Sequence, residues 1–346
     1  MKKPTLYIEH KGKVIETDAR YTHVMAIALD PSSGYKKGIL RCITSREGNV
    51  GIKGFTDRSE LRFVTGSSLE SFKIGERIPI KNEAAVIAGL TSDDRDFIGL
   101  EDPDIFIDSF TGLTHLYFTM PFIRKNIKPK ESLIYLGHAV GKDLAHLEMT
   151  VPALSPEMDV HGMPGAKEIS IAPINKNGVR LNLVESRIVD GEDKYSTVRI
   201  AIVEDMGKPW KFGETVFHPK EQGIPWISGH ASPGPLFSRE FYDAGEGKAL
   251  GIINGREANT KEGGETKYGM FSVGLFIYDY EHGKIDWVSP EPFIQDTEAK
   301  TITFASQFIE TSKNEGILYA HVDDSFVRTY TLTSQGVRAF VDASKS

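Results

Sequence analysis

The sequence predicts an all-β chain, a five-bladed β-propeller of four-stranded blades, and two observations carry that prediction. The first is period-two patterning. Short runs at 23–29, 133–139, 198–203 and 271–278 are rich in β-branched and aromatic residues and are bounded by turn clusters, as strands are. Long helical periodicity is absent, and the best helical candidate, around 142–149, lacks a persuasive cap. The second observation is self-similarity. A glycine opens an apolar strand at Gly38, Gly112, Gly178, Gly247 and Gly316, at spacings of 74, 66, 69 and 69 residues. Each glycine follows an apolar run and a polar turn, and a further strand follows, often opened by serine (Ser59, Ser132, Ser196, Ser272, Ser325). Such units repeated around a channel make a propeller. The competing reading is a β-sandwich whose glycine turns fall at even spacing by chance.

Residues 5–16 come first, with Leu6-Tyr7-Ile8-Glu9 and Val14-Ile15-Glu16 forming a hairpin-like segment that is a candidate to complete the last blade. The strands that begin each blade are then read back from the five glycines. Blade one offers Tyr21-Thr22-His23, blade two Gly99-Leu100-Glu101-Asp102-Pro103-Asp104, and blade three Gly165-Ala166-Lys167-Glu168. Blade four offers Gly229-His230-Ala231-Ser232-Pro233 and blade five Thr301 to Ser306. Length alone would suggest two domains. Five units of about 70 residues use the whole chain instead, so residues 1–346 are expected to form a single domain.

Composition narrows the function. The chain is 40% hydrophobic, enough for a sizeable core, and carries 41 basic against 48 acidic residues for a net charge of −7. That balance argues against a nucleic-acid or anionic-membrane partner. A single cysteine, Cys42, excludes internal disulfides and multi-cysteine metal sites. Lys2 and Lys3 are not followed by an apolar stretch of useful length, and no window approaches a membrane-spanning run. A soluble cytoplasmic protein is the default expectation; a secreted one whose signal was removed stays open.

Chemistry in a propeller is expected where the first strands begin, around one end of the channel. Asp102 lies ten residues before Gly112 and Glu168 ten before Gly178. The two carboxylates therefore hold equivalent positions in adjacent blades. A carboxyl pair is what glycosidic-bond cleavage needs, and clustered acids push their pKa values apart. The plainer alternative is a turn at Asp102-Pro103 and an ion pair for Glu168. Asp102-Pro103-Asp104 matches a metal-binding Asp-X-Asp only as a three-residue pattern. His138, His161 and His230 are scattered without zinc spacing, and no metal is expected. His138, on an apolar strand, fits a satisfied core residue, whereas His230 sits at a channel position. Arg187 is a candidate anion contact or surface ion pair. Phosphate loops, dinucleotide fingerprints and nucleophile elbows are absent; Gly245-Glu246-Gly247-Lys248 lacks the spacing of a P-loop.

Gly99-Leu100-Glu101-Asp102-Pro103 resembles the Gly-X-Glu-Asp-Pro-Arg signature of glycoside hydrolase family 130, the inverting β-mannoside phosphorylases and related hydrolases built on a five-bladed propeller. Weaker similarity extends through Gly38 to Cys42, Ala231 to Pro235, Gly251 to Gly255, Gly274 to Asp279 and Tyr319 to Asp323. The resemblance implies that Asp102 is the general acid, acting through a sugar hydroxyl, on a β-mannoside-like oligosaccharide. Along the matching stretches the expected substrate-binding set is Glu101, Asp104, Arg41, Arg187, His230, Asn254 and Asp323. Departures matter. Asp104 stands where the signature has arginine, Ile253-Asn254-Gly255 stands for its Tyr-His-Gly, and of the basic set that holds phosphate only Arg187 looks retained. Hydrolysis, with Glu168 as base or orienting carboxylate, is therefore the first expectation. Phosphorolysis, with inorganic phosphate as co-substrate and no other cofactor, is the second. A non-catalytic propeller that binds a glycan or protein is the third. A homo-oligomer is compatible with all three.

Overall fold

The computed structural model describes residues 6–345 apart from 11, 17–18, 126–131, 160–164 and 191–192. Five antiparallel sheets stand around a central channel, each with its first strand innermost. Blade one contains Val24–Leu29, Lys37–Glu47, Thr56–Ser68 and Ser71–Arg77. Blade two contains Glu101–Ile107, Thr114–Arg124, Ser132–Gly141 and Leu147–Met149. Ala166–Ser170, Arg180–Asp190, Asp193–Val203 and Lys211–Phe217 form blade three. His230–Leu236, Lys248–Arg256, Phe271–Asp279 and Lys284–Val288 form blade four. Blade five is Thr303–Ser312, Glu315–Val322 and Phe326–Thr333, completed by the N-terminal strand Tyr7–Glu9. The expected fold class is the observed one.

Packing explains why the ring holds. Alternate side chains of a strand face opposite sides of its sheet, so each blade buries apolar residues against both neighbours. Leu61 and Phe118 meet between blades one and two, Val184 and Tyr117 between two and three, and Phe217 and Ile253 between three and four. Leu250 and Leu318 share the four–five interface, and Tyr319 and Val64 the five–one interface. His138 belongs to this packing, as the core reading expected. It bonds His115 at 2.9 Å and Thr150 at 2.8 Å, and burial pushes its pKa down to about 3. His161 lies outside the described residues.

Three expectations about elements change. Residues 5–16 are not a hairpin but a strap. Tyr7–Glu9 pairs antiparallel with the last strand of blade five, while Ile15–Glu16 pairs parallel with the outer strand of blade one. The segment thus joins the two blades at which the ring closes, and Glu9 locks it through Arg328 at 2.7 Å, which also bridges buried Asp296 at 2.8 Å. Residues 142–149 contain a turn and a short strand instead of a helix. Among the described residues the α-helices are Glu83–Leu90 and Ser334–Lys345. The second buries Val337 and Val341 on the blade four–five core, so packing supports it where Gly336 and a polar composition lower its intrinsic propensity.

Candidate active site

The two carboxylates are presented by the same backbone device. Gly99 and Gly165, each three residues ahead, pass so close to the preceding blade that a Cβ would lie 2.0 Å from the Ser59 carbonyl oxygen and 1.8 Å from that of Ile134. Both adopt positive φ, +129° and +111°, which glycine alone tolerates well there. The pairing register then shifts by a bulge in each inner strand, at Asp102 and at Glu168. Asp102 has φ 46° and Glu168 has φ 47°, and Ala26 repeats the conformation in blade one with φ 47°. A non-glycine residue at positive φ is strained, and bulges re-aim side chains beside functional sites. Here they turn both carboxyl groups into one mouth of the channel.

That mouth is a cavity of about 200 Å³, about the size of a single sugar ring. Of the residues singled out in the sequence, Arg41, Asp102, Glu168, Arg187 and His230 line it together. Arg41 is fully committed behind the acids, with Nη1 2.8 Å from Asp102 Oδ1, Nη2 2.6 Å from Glu101 and Nε donating to Ser59 Oγ. Burial pushes the Asp102 carboxyl up, but Arg41 and Lys167, the latter 4.0 Å from Oδ2, outweigh it and hold the group below its ordinary value. Glu168 is the opposite case. Burial first, and the Asp102 charge second, raise its pKa well above the usual range, and it shares a hydrogen bond with Asp102. The two carboxyl groups are thus pushed in opposite directions, as expected for coupled carboxylates.

Four of the expected binding residues sit elsewhere. Glu101 lies behind the cavity on Arg41, and burial pushes it up to about 7. Asp104 lies in the narrow channel beneath the pair, where burial raises it to about 7 against a hydrogen bond from the Ile105 N–H. Asn254 does not face the cavity. Its amide donates to the Ala305 carbonyl at 3.0 Å and accepts the Ala305 N–H at 2.8 Å, stapling blade four to blade five. Asp323 is likewise structural, accepting the backbone N–H groups of Lys300, Thr301 and Ile302. The next residue, Asp324, lines the cavity in its place, because two successive positive φ values, 51° and 47°, turn the chain by one residue.

Sequence reading also missed Lys167, Glu185, Arg256 and His321. Lys167 bridges Asp102 and Glu185, at 4.0 and 3.8 Å. Glu185 stays ionised because the hydrogen bonds from His230 and Ser196, together with Lys167, overcome its burial. Burial lowers the His230 pKa against the opposing Glu185 charge, and His230 Nε2 lies 3.1 Å from Glu185 Oε1. Arg256 lies 4.5 Å over Tyr268 and 5.5 Å over Phe271 and donates to the Gly229 carbonyl. Among the described residues, Arg187 makes no ion pair. Arg41, Lys167, Arg187 and Arg256 thus face the cavity against two ionised carboxylates, Asp102 and Asp324. Of these, Arg41 is paired with Glu101 and Asp102, and Lys167 lies beside Asp102 and Glu185.

No family model and no curated protein matches the chain in sequence. Solved structures do match in shape. A β-1,2-mannobiose phosphorylase from Listeria innocua, in complex with β-1,2-mannobiose, superposes with a TM-score of 0.63 at 12% identity, covering 99% of this chain and 98% of that one. The chain shares its fold with mannose-handling enzymes. A mannose phosphorylase from Leishmania mexicana, in complex with phosphate ion, matches with a TM-score of 0.52 at 14% identity over 95% of this chain and 88% of that one. A GDP-Man-dependent mannosyltransferase from Leishmania mexicana matches with 0.55 at 10% identity over 93% and 88%. At these identities the likeness is one of fold.

Asp104 gives a stability prediction independent of activity. Its native pKa lies above its ordinary value, so the native state binds more protons between about pH 4 and pH 7, and the residue's cost rises across that window. Asp104→Asn is expected to stabilise the protein by about 1–3 kcal/mol at pH 8 and to do little at pH 4.5. Urea unfolding at the two pH values checks this; an equal effect at both would remove ionisation as the cause.

Proposed function

We propose that this chain is an enzyme that cleaves the terminal glycosidic bond of a β-mannoside-like oligosaccharide with inversion, using inorganic phosphate as the acceptor. The observation that carries the reading is that Asp102 and Glu168 line one cavity together with Arg187, Arg256 and Lys167. Asp102 faces the leaving oxygen, and the proton held by the pair passes to that oxygen as its bond to the anomeric carbon breaks. A phosphate oxygen forms the new bond on the opposite face of the sugar. Water as acceptor needs a base to take its proton, whereas burial and the Asp102 charge disfavour the ionised form of Glu168. Phosphate arrives already anionic and needs cations instead. Arg187, with Arg256 and Lys167 around the same cavity, supplies donors suited to a dianion. The fold likeness to phosphorylases of mannose and mannobiose supports the same substrate class.

The test is an initial-rate study of phosphate and sugar dependence. Arg187→Ala is expected to raise KM for phosphate by about 10- to 100-fold while KM for the sugar changes little, the loss of one charge-assisted contact. Cleavage that proceeds at full rate without phosphate, releasing free sugar, would replace this reading with hydrolysis. Binding of the sugar without any cleavage would make the propeller a binding module.

A further inference from the structure

Behind Lys167 and His230 stands a carboxylate that does not face the cavity. Glu185 lies on the second strand of blade three, buried and outside the cavity lining. It gathers groups from three other strands. Ser196 Oγ, on the third strand of the blade, donates to its Oε1 at 2.7 Å. His230 Nε2, on the inner strand of blade four, meets the same oxygen at 3.1 Å. Lys167 Nζ, on the inner strand of blade three, lies 3.8 Å from Oε2. Of these partners, His230 and Lys167 line the cavity. One buried charge thus anchors two groups of the cavity wall that come from adjacent blades.

The contact with Glu185 decides how the His230 ring can act. An ionised carboxylate only accepts hydrogen bonds, so Nε2 carries the hydrogen of this contact. Nδ1 is the nitrogen left for a ligand, and in the neutral ring it is an acceptor. Such an atom repels the oxygens of an anion. Burial disfavours the imidazolium, Glu185 favours it, and Arg256 and Lys167 disfavour it, so the balance lies below the ordinary histidine value. Arg256 is the register partner of His230 within blade four, and Phe271 packs against the ring edge to face at 5.1 Å. The rest of the cavity lining brings charge from Asp102, Glu168, Arg41, Arg187 and Asp324, with His321 and Tyr268 as further titratable groups.

Building on the phosphorolysis reading, we propose that Glu185 is a positioning residue and that His230, held by it, takes up one proton when a tetrahedral dianion enters the cavity. The anion offsets Arg256 and Lys167, the two charges that oppose the imidazolium, and Glu185 stays behind the ring as its counter-ion. The proton comes from solvent and binds at Nδ1, and no covalent bond between heavy atoms forms or breaks. An acceptor becomes a donor. Ser196 and Lys167 keep Glu185 ionised from its other sides. Anion affinity is thereby linked to pH through a ring that is not itself a fixed charge.

The experiment uses sulfate, a tetrahedral dianion that, unlike phosphate, does not titrate near neutral pH. Sulfate is titrated calorimetrically into the wild-type chain at pH 7 in buffers of different ionisation enthalpy, which counts the protons exchanged. The expected uptake is about 0.5 to 1 proton per sulfate, with affinity falling about 3- to 10-fold from pH 6.5 to pH 7.5. Binding without proton uptake, or no binding of sulfate, overturns the proposal. His230→Gln is expected to bind sulfate with uptake below about 0.2 proton, and uptake that persists in this variant assigns the proton elsewhere and overturns the role of His230. Glu185→Gln removes the counter-ion and should at least halve the uptake, and Glu185→Asp should restore it. A purely structural Glu185 would change affinity and leave the proton count per sulfate unaltered, which overturns its positioning role. The wild-type count decides the proton linkage even if a variant fails to fold. It also stands apart from the reaction: free sugar released without phosphate would end the phosphorolysis reading, while proton-linked sulfate binding would still support the Glu185–His230 pair.

Discussion

Asp102→Asn is expected to lower kcat by about 10²- to 10⁴-fold, the usual contribution of a positioned acid, while substrate affinity stays within a few fold. The substitution keeps the size and shape of a side chain that Arg41 holds at 2.8 Å and removes only the group that passes the proton on. Glu168→Gln is expected to fall by a similar factor, because an amide occupies the same place without a transferable proton. The pH profile follows from the pair. Asp102 is held low and Glu168 well above the ordinary range, so activity should stay flat through neutral pH and decline on the alkaline side, where the pair loses its last proton. A profile rising with pH would place the essential group in its ionised form, as a base. Measurement of kcat and kcat/KM for both variants from pH 5 to pH 10 checks each statement.

Arg41→Met is expected to destabilise the fold by about 3–5 kcal/mol at pH 8, the range found when one partner of a buried ion pair is removed. Arg41 is the only group in direct ion-pair contact with Glu101 among the described residues, and it also fixes Asp102. The sign with pH can be worked out. In the wild type the depressed Asp102 pKa contributes stability that is present above its ordinary value and is lost as pH falls through the native one. Without Arg41 both carboxyls rise, so the native state of the variant pays for ionisation as pH increases. The difference between wild type and variant should therefore widen from pH 5 to pH 8. Urea unfolding at those pH values measures it, and a difference that narrows with pH would contradict the electrostatic assignment.

Much of the architecture was legible because a propeller repeats. The five glycines marked the blades, and counting ten residues back from two of them put Asp102 and Glu168 in equivalent bulges of adjacent inner strands. What that count lacked was distance. Two carboxylates on neighbouring blades can stand apart across the channel or touch, and the bulges turn these two together. Asp323 was read for Asp324 because strand alternation assumes extended backbone, whereas consecutive left-handed residues break it. Lys167 was visible beside Glu168, but its bridge to Glu185 depends on the register between strands. Asn254 sits in the expected strand, yet its amide serves the neighbouring blade. The backbone pairing of Gly51 and Lys53 with Tyr268 and Thr266 was illegible for a different reason. Extra residues between two strands are countable, but their pairing with a loop more than 200 positions earlier is a contact that no local pattern encodes.

The central claim is that Asp102, Glu168 and the basic residues around the same cavity together move a sugar from an oligosaccharide to phosphate. The most direct measurement is phosphorus NMR of wild-type protein incubated with a β-linked manno-oligosaccharide and inorganic phosphate. The account predicts loss of the phosphate signal and growth of an α-configured sugar 1-phosphate, with neither change in Asp102→Asn over the same interval. Free mannose accumulating while the phosphate signal stays constant, or sugar 1-phosphate forming equally fast in Asp102→Asn, would contradict it.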